Sequence, residues 1–171
     1  MAAIRPRSGS RKQENQEMRA YDGIKAKREV NLETPNFLDQ ARQQLFRSIP
    51  VEVRMSGGSM RPAIEDGDII TILPLKDAPI KPGDVVLYQS RFDTAVIHRV
   101  IRVEKSSSER MVVTRGDASS QTDAPVPLDR ILGIVKRVER AGERVNMAGP
   151  KRGLSPWLTN LLRKFKFWSD R

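Results

Sequence analysis

Seven consecutive residues, Ser56-Gly57-Gly58-Ser59-Met60-Arg61-Pro62, place a hydroxyl on a backbone able to turn tightly around it. Glycine opens conformations closed to other residues and lets a substrate backbone approach, while Pro62 presets the turn. Taken alone, Ser59 reads as an ordinary turn serine. A hydroxyl becomes a nucleophile only when a neighbouring base takes its proton, and imidazole, titrating near neutrality, suits that task. The chain has one histidine, His98, in Ile97-His98-Arg99-Val100. A lone strand histidine is most often a structural hydrogen-bonding group. A histidine base also needs a carboxylate to fix its tautomer and stabilise the imidazolium. Two acids follow, Asp117 after Gly116 and Asp123 six residues on, and either can instead cap a turn.

Other chemistries are excluded by composition. With no cysteine, the chain has no disulfides, thiolate zinc sites, iron–sulfur clusters or cysteine nucleophile. One histidine gives no basis for a histidine metal cage, so neither metal nor cofactor is expected. No apolar run exceeds four residues, Val85-Val86-Leu87-Tyr88 being one such run. A membrane span needs roughly 20 such residues and a secretory signal an apolar stretch of about 7–15. The expectation is a cytoplasmic chain, with peripheral contact at the inner face of the membrane as the alternative.

The net charge of +10 over 171 residues is unevenly distributed. Residues 1–28 carry eight Lys and Arg against three acids, residues 136–171 ten against three, and the middle 13 against 15. The centre is therefore near neutral and the basic character sits in the two ends, which either meet anionic surfaces or stay solvated. Nucleic-acid binding by the central domain is not expected.

The elements that must hold these residues follow from periodicity. Residues 1–31 read as a basic disordered tail and 32–48 as a short helix, capped by Thr34 or Asn36, with Pro35 in its first turn. Phe37, Leu38, Ala41 and Leu45 recur at helical spacing. From residue 49 to 140 the pattern is short, period-two strands: Val51–Met55, Ile69–Leu73, Asp84–Tyr88, Thr94–Val103, Arg110–Thr114 and Leu128–Val138. Gly, Pro, Asp and Ser clusters separate them, which argues for a mainly β, antiparallel domain with short flanking helices. Residues 141–171 read as a linker and a basic amphipathic helix. There Trp157, Leu158, Leu161, Leu162, Phe165 and Trp168 share a stripe suited to a membrane interface or to packing on the domain.

In order, Ser59-Met60-Arg61-Pro62, Gly83-Asp84, His98-Arg99-Val100 and Gly116-Asp117 resemble the signature series of the type I signal peptidases, a superfamily shared with the self-cleaving SOS repressors. The resemblance covers about residues 51–138 and implies that antiparallel β-fold. A histidine before Arg99-Val100, in place of the lysine of most bacterial members, resembles the archaeal and endoplasmic-reticulum branch. It implies Ser59 as nucleophile, His98 as general base and Asp123 as the acid, with Asp117 the second candidate. Ser56, Gly57, Gly58, Met60 and Pro62 become candidate substrate-binding residues, and the Ser59 N–H, with Ser56 as a possible second donor, the candidate oxyanion site.

The chain departs from the pattern in having an extra glycine before Ser59, Ala118-Ser119 where Asn is usual, and no apolar anchor. The implied function is a serine endopeptidase acting on a precursor or leader peptide. The rival is a repressor-type regulatory or binding module that cleaves itself or nothing, although residues 1–48 leave little room for a helix-turn-helix domain.

Overall fold

The computed structural model describes residues 29–31, 36–75, 79–105 and 109–147. The expected basic tail up to residue 28, Thr34 and Pro35, and the helix expected over 156–168 lie outside them. Among the described residues, nine strands form one sheet: β1 Glu29–Asn31, β2 Val51–Arg54, β3 Ile69–Pro74, β4 Val85–Gln89, β5 Ala95–Lys105, β6 Arg110–Arg115, β7 Val126–Pro127, β8 Ile131–Arg140 and β9 Glu143–Arg144. Their order is β1-β2-β3-β8-β4-β5-β6-β7, with β9 paired to β8. All pairings are antiparallel except β1 on β2. The mainly β, antiparallel expectation holds.

Two apolar clusters form the core, and β4, β5 and β8 feed both. In β4, Val85 and Leu87 enter one cluster while Val86 and Tyr88 enter the other, which is why the strand reads as a continuous apolar run. The only α-helix among the described residues, α1 (Phe37–Phe46), buries Phe37, Ala41 and Leu45 on the first cluster. Removing Phe37 and Leu45 from water contributes on the order of 2 kcal/mol each. Gly133 lets this layer close. A Cβ there would stand 2.6 Å from the Leu73 carbonyl oxygen and 3.2 Å from Leu45 Cδ1.

Several expected boundaries move. β1 lies inside the segment expected to be disordered, because its backbone pairs with the edge of β2, a property invisible in the aperiodic Glu-Val-Asn. Asn36 precedes α1 in a left-handed conformation and makes no side-chain capping hydrogen bond, so of the two expected caps the Asn36 one is not formed. Leu128–Arg130 is a 3-10 turn and the last long strand begins at Ile131. Register shifts at Thr71/Ile72, Leu87/Tyr88 and Val100/Arg102 break the strict alternation.

Candidate active site

His98 sits on β5 opposite Val86 of β4, and Tyr88 is opposite Val96. Tyr88 and His98 are therefore diagonal neighbours on one face, with ring centroids 6.4 Å apart at 63°. β6 carries Thr114 on the far side of β5 and ends just before Gly116. The chain then loops back, and the Asp123 N–H donates to the Thr114 carbonyl oxygen at 2.8 Å. The fully buried Thr114 hydroxyl donates to Asp123 Oδ2 at 2.7 Å. The same oxygen lies 2.7 Å from His98 Nδ1.

These contacts set the protonation of the site. Burial raises the Asp123 carboxyl, but hydrogen bonds from Thr114, His98 and Tyr88 outweigh it and hold the group below its ordinary value. An ionised carboxylate only accepts, so Nδ1 carries the imidazole proton and Nε2 is left as the acceptor. Burial pushes the Tyr88 phenol up to about 12, with the Asp123 charge adding to the rise and the Thr114 hydrogen bond opposing it. Tyr88 thus remains a donor beside the acid.

The second half of the site comes from the turn between β2 and β3. Gly57 adopts φ 89°, where a side chain would be strained, and its N–H donates to Asp66 Oδ1 at 2.9 Å. Met60, Ala63 and Ile64 anchor the turn in the first core cluster. Below it, Asp68 is 2% exposed and receives both Nε and Nη2 of Arg140 at 2.8 Å, together with the Glu65 N–H. The Arg140 guanidinium holds the Asp68 carboxyl below its ordinary value against the opposing effect of burial. This fork pins the turn to β8.

The halves meet at Gly116. A Cβ on it would lie 2.6 Å from the Ser59 carbonyl oxygen and 3.1 Å from His98 Nε2. The Ala118 N–H donates to that same carbonyl at 2.9 Å. Ser59 is exposed, and among the described residues its hydroxyl makes no hydrogen bond, to His98 or to any other group.

The other residues singled out in the sequence fall as follows. Asp117 is held by Arg99, which donates from Nε at 2.8 Å and from Nη2 at 2.6 Å. Arg99 also reaches the Gly83 and Met147 carbonyls, so Asp117 braces the loop and does not contact His98. Gly57, Gly58 and Pro62 are exposed and Ser56 is half-buried. The Met60 side chain, at 1% exposure, packs in the core, which leaves only its backbone to face a substrate. Among the described residues, no three His, Asp or Glu side chains converge as a metal site.

Thr114, Tyr88, Arg99 and the Asp68–Arg140 fork were not singled out from the sequence. Tyr88 carried a signal, since a tyrosine inside an apolar strand needs a partner for its hydroxyl.

No protein-family model matches the chain. It is 29% identical over 126 residues to the human signal peptidase complex catalytic subunit SEC11C, covering 69% of this chain and 61% of the relative. The SEC11 catalytic subunit of Lachancea thermotolerans is 32% identical over 96 residues, covering 54% of this chain and 56% of the relative. That of Candida dubliniensis is 28% identical over 110 residues, covering 64% and 61%. The chain is thus similar to catalytic subunits of the signal peptidase complex. It spans about 61% of the length of the SEC11C relatives it matches. Among the described residues, no helix is long and apolar enough to cross a membrane.

Proposed function

We propose that this protein is a serine endopeptidase of signal-peptidase type, cleaving a precursor or leader peptide. The observation that carries the reading is the 2.7 Å contact of His98 Nδ1 with Asp123, which leaves Nε2 as an acceptor beside the Ser59 backbone at Gly116. A rotation of the Ser59 side chain brings its hydroxyl to Nε2 when substrate docks, as apo catalytic contacts are often loose.

In the reaction, Ser59 Oγ attacks the scissile carbonyl carbon and its proton passes to His98 Nε2. Asp123 stabilises the imidazolium and keeps the ring in position. The tetrahedral oxyanion accepts a hydrogen bond from the Ser59 N–H. Collapse breaks the C–N bond as His98 returns the proton to the leaving amine, leaving an acyl ester on Ser59. A water, deprotonated by His98, hydrolyses that ester and restores the hydroxyl. Thr114 and Tyr88 act on Asp123 and take no part in the bond-making steps.

The relatives are named as catalytic subunits of a complex, which adds partner subunits to this reading. Cleavage of an extended peptide with small residues before the scissile bond tests it. Ser59→Ala and His98→Ala should each remove activity by about 10^3-fold or more while the fold is retained. Full activity in Ser59→Ala would end the proposal.

A further inference from the structure

A pocket of about 370 Å3 opens directly beside the base. His98, Asp123 and Tyr88 form one part of its lining, and Arg91, Phe92 and Arg130 another. No residue of the turn 55–62 lines it. The pocket is thus built on the base and acid side of the site and excludes the nucleophile's own segment.

That asymmetry assigns the pocket within a serine peptidase mechanism. The acyl half of the substrate becomes bonded to Ser59 and stays with its turn. The leaving amine must instead lie against His98 Nε2, which hands it a proton. The chain that follows the scissile bond therefore starts at His98, one of the residues that line this pocket.

Charge indicates what the pocket takes. Arg91 and Arg130 form no ion pair among the described residues. Arg130 Nη1 donates to the Ser90 carbonyl at 3.2 Å, which steadies that guanidinium without neutralising it. The Arg91 guanidinium stands over the exposed Phe92 ring at 4.7 Å. The Asp123 carboxylate bonds to His98 and Thr114 and to neither arginine.

Resting on the peptidase reading, we infer that this pocket is the leaving-group subsite and selects a peptide with an acidic residue directly after the scissile bond. The carboxylate of that residue accepts from Arg91 and Arg130, while its methylenes lie along Tyr88. After cleavage, the departing peptide begins with this acidic residue and occupies the pocket as product.

The test uses the full chain and peptides identical up to the scissile bond, with Glu, Gln or Lys immediately after it. Two partly exposed guanidinium contacts predict kcat/KM for the Glu peptide about tenfold above that for the Lys peptide. Arg130→Glu and, separately, Arg91→Glu should bring that ratio to one or invert it. Agreement between the two variants guards against a local folding defect in either. A Glu-to-Lys ratio near one in the unaltered protein, or a tenfold ratio persisting in both variants, overturns the subsite. The peptidase reading itself fails differently: all three peptides remain intact and a fluorophosphonate leaves Ser59 unmodified. In that case binding of the product-like peptide Glu-Ala-Ala still decides the pocket. Saturable binding that is weakened in Arg130→Glu supports it as an acidic-peptide site, and no binding overturns it.

Discussion

Gly116→Ala adds one carbon atom where nucleophile and base meet. The new Cβ would stand 2.6 Å from the Ser59 carbonyl oxygen, against an ordinary contact of 3.4 Å or more, so about 0.8 Å of separation must be found. The first obstacle is backbone and the second, at 3.1 Å, is the ring of His98. Neither moves freely. The carbonyl is tethered to the Ala118 N–H and the imidazole to Asp123. Overpacking of this kind costs about 1–3 kcal/mol of stability. The catalytic cost is larger, because a displacement near 1 Å at reacting groups lowers rate by roughly 100-fold. Gly133→Ala is the reference: its Cβ would also lie 2.6 Å from a carbonyl, that of Leu73, yet it lies away from His98 and Ser59. The assay pairs thermal unfolding with peptide cleavage under saturating and limiting substrate. Both variants should lose stability, but only Gly116→Ala should lose kcat out of proportion to its folded fraction. Equal kcat in the two folded variants would refute the claim that Gly116 sets the Ser59–His98 approach.

Asp123→Asn should lower the chemical step by about 10^2–10^4-fold with little loss of fold, since the amide no longer stabilises imidazolium. Asp117→Asn should instead cost about 3 kcal/mol of stability by weakening the pairing of the mostly buried Arg99, read from urea unfolding. Asp123 and Asp68 both titrate lower in the folded protein than in the unfolded chain, whose value is near 3.8. The stability they contribute is complete above that value and is lost as pH falls through their lower folded values. Thermal unfolding followed from about pH 6 down to about pH 2 should show this acid limb, shallower in Asp68→Asn. Sedimentation with anionic vesicles should pellet the full chain, and truncation after Gly153 should abolish it. Each basic residue near the surface contributes about 1 kcal/mol, so binding should weaken with salt; binding that survives truncation would assign it elsewhere.

The strands were legible because Val51, Val53, Ile70 and Ile72 alternate on a half-covered sheet, a period that survives without tertiary context. Their ends were less so: register shifts at Thr71, Leu87 and Val100 and the 3-10 turn at Leu128–Arg130 interrupt the period. The short strands β1, β7 and β9 are two or three residues long and exist only through their partners. Ser59, His98 and Asp123 were named because their types and order resemble a family. Thr114 was not, since nothing local distinguishes it from strand residues that merely pack, and Tyr88 signalled only a need for some hydroxyl partner. The Asp68–Arg140 fork joins residues 72 apart, and no local pattern records it. The burial of the Met60 side chain was not legible either: adjacency to Ser59 says nothing about which way a side chain points on a turn.

The most direct measurement is reaction of the intact protein with a fluorophosphonate, with the modified residue mapped by mass spectrometry and the rate followed in variants. The account predicts a single adduct on Ser59. It also predicts that modification slows by at least about 100-fold in a folded His98→Ala protein, because the hydroxyl then lacks its base. An adduct on a different residue, or Ser59 modified at the same rate without His98, would contradict it.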